Sequence, residues 1–124
     1  MSKKVLLVDD TETVLMFEKM MLAGTGHQIV TAKNGVEALK VAEEVCPDII
    51  LLDIMMPEMD GIETCQRLKD SAKTKDIPVV MVTTKGDPDR VERAYSAGCN
   101  DYLTKPLDKL DLLAKVRKHL GESD

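Results

Sequence analysis

The side chains able to do chemistry together stand at separated places along the chain: the pair Asp9 and Asp10, then Asp53, Thr83 and Lys105. Asp53 is the most informative of them. The aliphatic run Ile49-Ile50-Leu51-Leu52 leads straight into it, and Ile54-Met55-Met56-Pro57 resumes the apolar character behind it. A carboxylate at the end of such a run is costly to bury unless it is paired or binds a metal. Three carboxylates drawn together repel, and raise one another's pKa values unless a cation sits among them. The ligands on offer are oxygens, without His or Cys, which suits Mg2+, an ion that keeps waters and shares its shell with phosphate. Lysine is a point-charge partner for a phosphoryl oxygen, and a threonine hydroxyl can donate to another. Such a set fits phosphoryl transfer, with a carboxylate as nucleophile and a metal to neutralise charge.

Residues this far apart meet only if the fold gathers them. Val5 to Val8, Ile49 to Leu52 and Val79 to Val82 are short continuous apolar runs, the mark of parallel strands buried on both faces. Gln28 to Ala32 and Asp101 to Thr104 read as two further strands. Helical patterns lie between. Thr11 or Asp10 is expected to cap a first helix with Val14, Phe17 and Met21 as its inward stripe and Gly24 as its stop. Asn34 to Glu37 and Asp60 to Glu63 are capping boxes, opening helices that carry Ala38, Leu39, Ala42 and Val45 in one case and Ile62, Cys65 and Leu68 in the other. Asp87-Pro88 opens a fourth helix with Val91, Ala94 and Tyr95, and Leu110, Leu113, Val116 and Leu120 mark the inward stripe of a fifth. Strand and helix alternate without linker or internal repeat, which predicts an α/β fold: a doubly wound three-layer sandwich with a parallel sheet. In such a sheet strand ends of one polarity share one edge, where ligands bind. Asp9 and Asp10, Asp53, Thr83 and Lys105 all stand at that edge.

Composition narrows the alternatives. The 124 residues are expected to form a single domain, 1–124, with a core over about 4–120. A net charge of −5 argues against nucleic acid as a direct partner. No apolar run approaches a membrane span, and Val5 to Val8 is too short for a signal-peptide core, so a cytoplasmic location and no membrane partner are expected. Cys46, Cys65 and Cys99 lack zinc or disulfide spacing and read as small buried hydrophobes. His27 and His119 have no metal spacing and read as solvated surface residues; the methionines are scattered, and the side chains of Met55 and Met56 next to the site read as shaping access to it. Gly24-Thr25-Gly26 follows a helix and fails the dinucleotide pattern at Ile29.

Val8-Asp9-Asp10, Leu52-Asp53-Ile54-Met55-Met56-Pro57, Asp60-Gly61, Val82-Thr83 and Lys105-Pro106, taken together, span the whole chain. In these motifs the sequence resembles a response-regulator receiver domain of the single-domain, CheY-like type. The resemblance implies a (βα)5 flavodoxin-like fold with strand order 2-1-3-4-5. It implies a two-component signalling switch that takes a phosphoryl group from a sensor histidine kinase onto Asp53. Mg2+ would be held by Asp10, Asp53 and the Met55 carbonyl, with Asp9 acting indirectly. Lys105 would pair with the phosphoryl group, and its bond to Pro106 is expected to be cis. Thr83 would turn toward the phosphoryl group and Tyr102 would follow inward. These movements change the face of the fourth helix, fifth strand and fifth helix, where an unidentified protein target reads the state. Taken alone, Tyr102 could equally be an ordinary half-buried packing residue.

Two other readings belong beside this one. A receiver cut from a longer regulator, or a phosphorelay intermediate or phosphate sink, would carry the same motifs. Aspartyl-nucleophile phosphatases of the haloacid-dehalogenase type also use Asp, Thr, Lys and Mg2+, but they place a second Asp two residues after the nucleophile as general acid and base. Met55 stands there instead, so the chain is expected to be no enzyme beyond its own phosphorylation and slow dephosphorylation. In the family, the positions of Met55 and Lys85 govern how water reaches the phosphoryl group. Thr84 is bulkier than the residue often found there, so a long-lived phosphorylated state is expected. The pathway (chemotaxis, motility or another), the cognate kinase and the oligomeric state are not legible.

Overall fold

The apolar runs become strands because each has covering helices on both sides. In the computed structural model, which describes residues 2–84 and 87–121, strands β1 (Lys4–Val8), β2 (Gln28–Ala32), β3 (Ile49–Asp53), β4 (Val79–Thr84) and β5 (Asp101–Lys105) alternate with helices α1 (Glu12–Leu22), α2 (Gly35–Val45), α3 (Gly61–Asp70), α4 (Pro88–Ser96) and α5 (Lys109–Leu120). All strand pairs are parallel, in the order β2-β1-β3-β4-β5. Successive side chains of a strand point to opposite faces, so the sheet divides the core in two. Leu6, Val8, Ile50, Leu52 and Met81 pack with Ala38, Ala42, Cys65, Leu68 and Ala94 of α2, α3 and α4. Val5, Leu7, Ile49, Leu51, Val80 and Leu103 pack with Leu15, Leu22, Leu112 and Val116 of α1 and α5.

Capping follows the sequence closely. Asn34 accepts a hydrogen bond from the Glu37 amide at 2.7 Å, Asp60 from the Glu63 amide at 2.9 Å, and Asp87 from the Arg90 amide at 3.4 Å. Each satisfies an amide that the first helical turn leaves open. Gly61 opens α3 hard against the end of β3: a Cβ there would collide with the Asp53 carbonyl and lie 2.7 Å from Ile54 Cα. Only glycine permits this approach, which ties the β3–α3 connection to the strand it leaves.

Several expectations need correction. The stripe Val14, Phe17 and Met21 is not the buried face of α1: the helix buries Leu15, Glu18 and Leu22, Met21 packs at the margin of the core, Val14 is half-buried and Phe17 is 55% exposed. Both triplets have helical spacing, and the acid at position 18 disguised the true one. Thr11 occupies the cap of α1 without a side-chain bond. Its amide is instead held by Asp9 Oδ1 at 2.9 Å, which helps set the rotation of the helix. Of the stripe expected on α5, Val116 is buried and Leu113 and Leu120 pack against the core, but Leu110 is exposed, and Leu112, which the stripe left out, is buried. Cys46 is exposed, because it terminates α2 in the left-handed region at φ 52°. Neither histidine is merely solvated: His27 Nδ1 accepts from the Lys3 amide at 3.2 Å, and His119 Nε2 lies 3.0 Å from Asp101 Oδ2 in a half-buried cluster.

Candidate functional site

The chain leaves β1 toward β2 on one side and enters β3 on the other, so β1 and β3 are neighbours whose following loops diverge. That divergence opens a crevice at the carboxyl ends of the strands. Asp9 and Asp10 follow β1, Asp53 is the last residue of β3, Thr83 stands one position beyond the Asp53–Val82 register pair on β4, and Lys105 closes β5. Asp9, Asp10 and Asp53 each offer an oxygen within 4.8 Å of the other two. Asp9 and Asp53 are buried and Asp10 is exposed, so the cluster has a dry inner side and a wet outer one. Thr83 is buried beside them, at 2% exposure.

Lys105 spans the inner pair. Its Nζ lies 3.3 Å from Asp9 Oδ2 and 3.4 Å from Asp53 Oδ1. The Lys105–Pro106 peptide bond is cis. Asp53 Oδ1 also accepts from the Met55 amide at 3.3 Å, an Asx-type contact that folds the backbone after β3 back over the carboxylate. Burial pushes the Asp53 carboxyl up to about 6, and the Asp9 carboxylate adds to this; Lys105 opposes both without cancelling them. Burial also works to lower the Lys105 ammonium, but the carboxylates of Asp53 and Asp9 outweigh it and hold the ammonium above its usual range. One monovalent cation therefore under-compensates this cluster. A divalent ion with oxygen ligands fits the donor set that Asp9, Asp10 and Asp53 present.

Other expected residues lie further out. Met55 is 51% exposed at the rim, whereas Met56 is buried under it. Tyr102 is 36% exposed on β5 and meets Tyr95 of α4 edge to face, with centroids 6.1 Å apart. The Lys115 ammonium stands 6.0 Å from the Tyr102 centroid. Lys85 lies outside the described residues.

Sequence reasoning passed over two neighbours of the site, Glu18 and Arg90, and a charged cluster at the far end of β5. Glu18 on α1 is buried, its Oε1 has no hydrogen-bond partner among the described residues, and burial raises its carboxyl to about 8, with Asp9 and Asp53 adding to the rise and Lys105 opposing it. An acid at helical spacing between Leu15 and Leu22 was the available signal. Arg90 of α4 reaches back over the β3–α3 loop, its Nη1 touching the Met55 sulfur, a contact that no local pattern announces. Asp101 opens β5 under a clamp from α5: Lys115 Nζ at 2.7 Å, His119 Nε2 at 3.0 Å and Lys118 Nζ at 3.4 Å. Burial alone would raise its carboxyl, but Lys115 and His119 hold it well below the usual range.

Residues 5–117 match the family described as the response regulator receiver domain. The chain is 43% identical over 118 residues to the response regulator PleD of Caulobacter vibrioides, covering 94% of this chain and 26% of that protein. It is 34% identical over 126 residues to the polar-differentiation response regulator DivK of Brucella anthropi, covering 99% of this chain and all of that one. The chain thus spans about a quarter of one curated relative and the full length of another. Among solved structures, the chemotaxis protein CheY4 of Vibrio cholerae superposes with a TM-score of 0.89 at 30% identity, over 95% of this chain and 98% of that one. The receiver domain of sensor histidine kinase PA1611 of Pseudomonas aeruginosa, described with magnesium coordinated in its active-site cleft, superposes at 0.87 and 26% identity, over 98% of this chain and all of that one.

Proposed function

The chain belongs to the response regulator receiver domain family, and on that premise we propose that it is a phosphorylation-operated signalling switch with Asp53 as its phosphoacceptor. The observation that carries the proposal is the buried Asp53 carboxylate at the end of β3, 3.4 Å from the Lys105 ammonium that also holds Asp9. An Asp53 oxygen attacks the phosphorus of a phosphohistidine on a sensor histidine kinase. The O–P bond forms as the P–N bond breaks, and the electron pair returns to the imidazole. Asp10, Asp53 and the Met55 carbonyl would hold Mg2+, with Asp9 acting indirectly, and the bound ion supplies positive charge against the phosphoryl oxygens. Lys105 presents its point charge to one phosphoryl oxygen and the Thr83 hydroxyl donates to another. The magnesium in the active-site cleft of the PA1611 receiver domain supports a magnesium ion in this crevice.

Phosphorylation adds about −1.5 to −2 charge at neutral pH, enough to bias a two-state element. Thr83 then moves toward the phosphoryl group, and Tyr102, now at the surface against Tyr95 and Lys115, turns inward. The α4–β5–α5 face changes shape, and a protein target reads it. The switch works by contact, either alone, as the full-length match to DivK suggests, or as the input unit of a longer regulator, as the match to part of PleD suggests. A cytoplasmic location, without direct contact to membrane or nucleic acid, belongs to the same reading; the net charge of −5 supports its last part.

Incubation with acetyl phosphate or phosphoramidate, read by intact mass, tests the assignment. The parent gains one phosphoryl group in the presence of Mg2+ and far less without it, and Asp53→Asn gains none. Equal labelling of Asp53→Asn would remove Asp53 from its role. Met55 places no acid beside the acyl phosphate and Thr84 is bulky, so the phosphoryl group persists; its rapid loss in the absence of any phosphatase would count against that part.

A further inference from the structure

The crevice beside the acidic cluster has a basic wall that the phosphoacceptor reading leaves unused. This cavity, of about 520 Å3, has Asp10, Met55 and Met56 on one side and Arg90 and Arg93 on the other. The two arginines lie three positions apart on α4, so they share one face of the helix. Arg90 is oriented by its own helix: Nε pairs with Asp87 Oδ2 at 3.2 Å, which turns the terminal edge of the guanidinium toward the mouth. There, among the described residues, Nη1 meets only the Met55 sulfur, a weak acceptor for one of the strongest donor sets a protein carries. Arg93 is exposed one turn further on and makes no ion pair among the described residues. Strong donors thus face the approach to Asp53 with little to bond to.

An anion leaving the reaction would use them. When an acyl phosphate phosphorylates a carboxylate, the acyl group departs as a carboxylate, carrying the electron pair of the broken P–O bond. Near Asp53 the positive charge is already committed: Lys105 is engaged with Asp9 and Asp53 and would turn to the phosphoryl group, which Mg2+ held by Asp10 and Asp53 would also serve. Guanidinium groups match a planar carboxylate bidentately, which an ammonium cannot do. We propose that Arg90, backed by Arg93, forms the leaving-group site for a small acyl-phosphate donor at the mouth of the crevice. The inference rests on Asp53 being the phosphoacceptor. The step balances without any further reactant: an Asp53 oxygen bonds phosphorus, the bond from phosphorus to the acyl oxygen breaks, and the carboxylate leaves as an anion needing no proton.

Two donors separate this role from a general one. Acetyl phosphate releases acetate, whereas phosphoramidate releases neutral ammonia. Initial rates of mass gain at saturating Mg2+ give kcat/KM for each donor. The double variant Arg90→Gln, Arg93→Gln loses about tenfold with acetyl phosphate and stays within about twofold with phosphoramidate. Arg90→Lys, in the parent background, keeps the charge without the fork and falls in between. Equal losses with both donors would place the arginines on the phosphoryl group or the fold and overturn the leaving-group role, as would an unchanged rate with acetyl phosphate. If the parent itself took no phosphoryl group from phosphoramidate, the phosphoacceptor reading would fail and this one with it.

Discussion

Between Leu15 and Leu22 on the inward face of α1, Glu18 is 2% exposed and its Oε1 has no hydrogen-bond partner among the described residues. Burial lifts its carboxyl from an ordinary 4.5 to about 8. A carboxyl raised in the folded state binds its proton more tightly there than in the unfolded chain, so it costs stability as pH climbs between the two values. Glu18→Leu should therefore gain about 2 kcal/mol at pH 8 by urea unfolding, with a smaller gain at pH 5, where the parent side chain is neutral in the folded state. A gain independent of pH would show that packing alone is responsible. Asp53, raised to about 6, carries the same sign. Asp53→Asn should raise the Tm of the metal-free protein, while Mg2+ should raise the Tm of the parent more than that of the variant. Of these residues only Asp53 was legible in the sequence, because an acid interrupts an apolar run there. Glu18 was hidden, since one polar residue between two leucines looks like the outer face of a helix until the rotation of that helix is known.

The rotation of α1 is an element-scale fact with its own test. If Leu15, Glu18 and Leu22 face the sheet, Phe17→Ser should change stability by less than about 0.5 kcal/mol, whereas Leu22→Ala should cost about 3 kcal/mol. The reverse ranking would restore the stripe through Phe17. At the other edge, β5 and α5 are fastened by Asp101, which accepts from Lys115 at 2.7 Å with His119 at 3.0 Å on its second oxygen. Asp101→Asn keeps the shape and removes the charge, leaving half-buried cations under-compensated; a loss of about 2 kcal/mol at pH 7 is expected by urea unfolding. Capping boxes and strand runs placed most elements correctly, because those signals are local. The clamp was not legible, since its members lie 14 and 18 positions apart and nothing in either segment marks the other.

At the scale of the molecule, the alternation of strands and helices was enough to predict a parallel sheet and the gathering of acids at one edge. What it could not show was the balance of charge there. Glu18 and Asp53 both resist ionisation in the folded state, whereas Asp101 is ionised well below its usual range and adds nothing further above pH 4. The metal-free protein should accordingly be most stable near pH 4 and lose stability toward pH 8, more steeply below about pH 6, where Asp53 and Glu18 both contribute, measured by urea unfolding from pH 4 to 8. A flat profile would mean that the buried acids relax into solvent. The sheet also keeps two kinds of residue apart: β5 begins at the Asp101 clamp and ends at Lys105, so durability is concentrated at one rim and chemistry at the other. Lys115 belongs to the clamp and also stands 6.0 Å from the Tyr102 ring, so a substitution that loosens the first rim also reaches the outer face of β5 and α5.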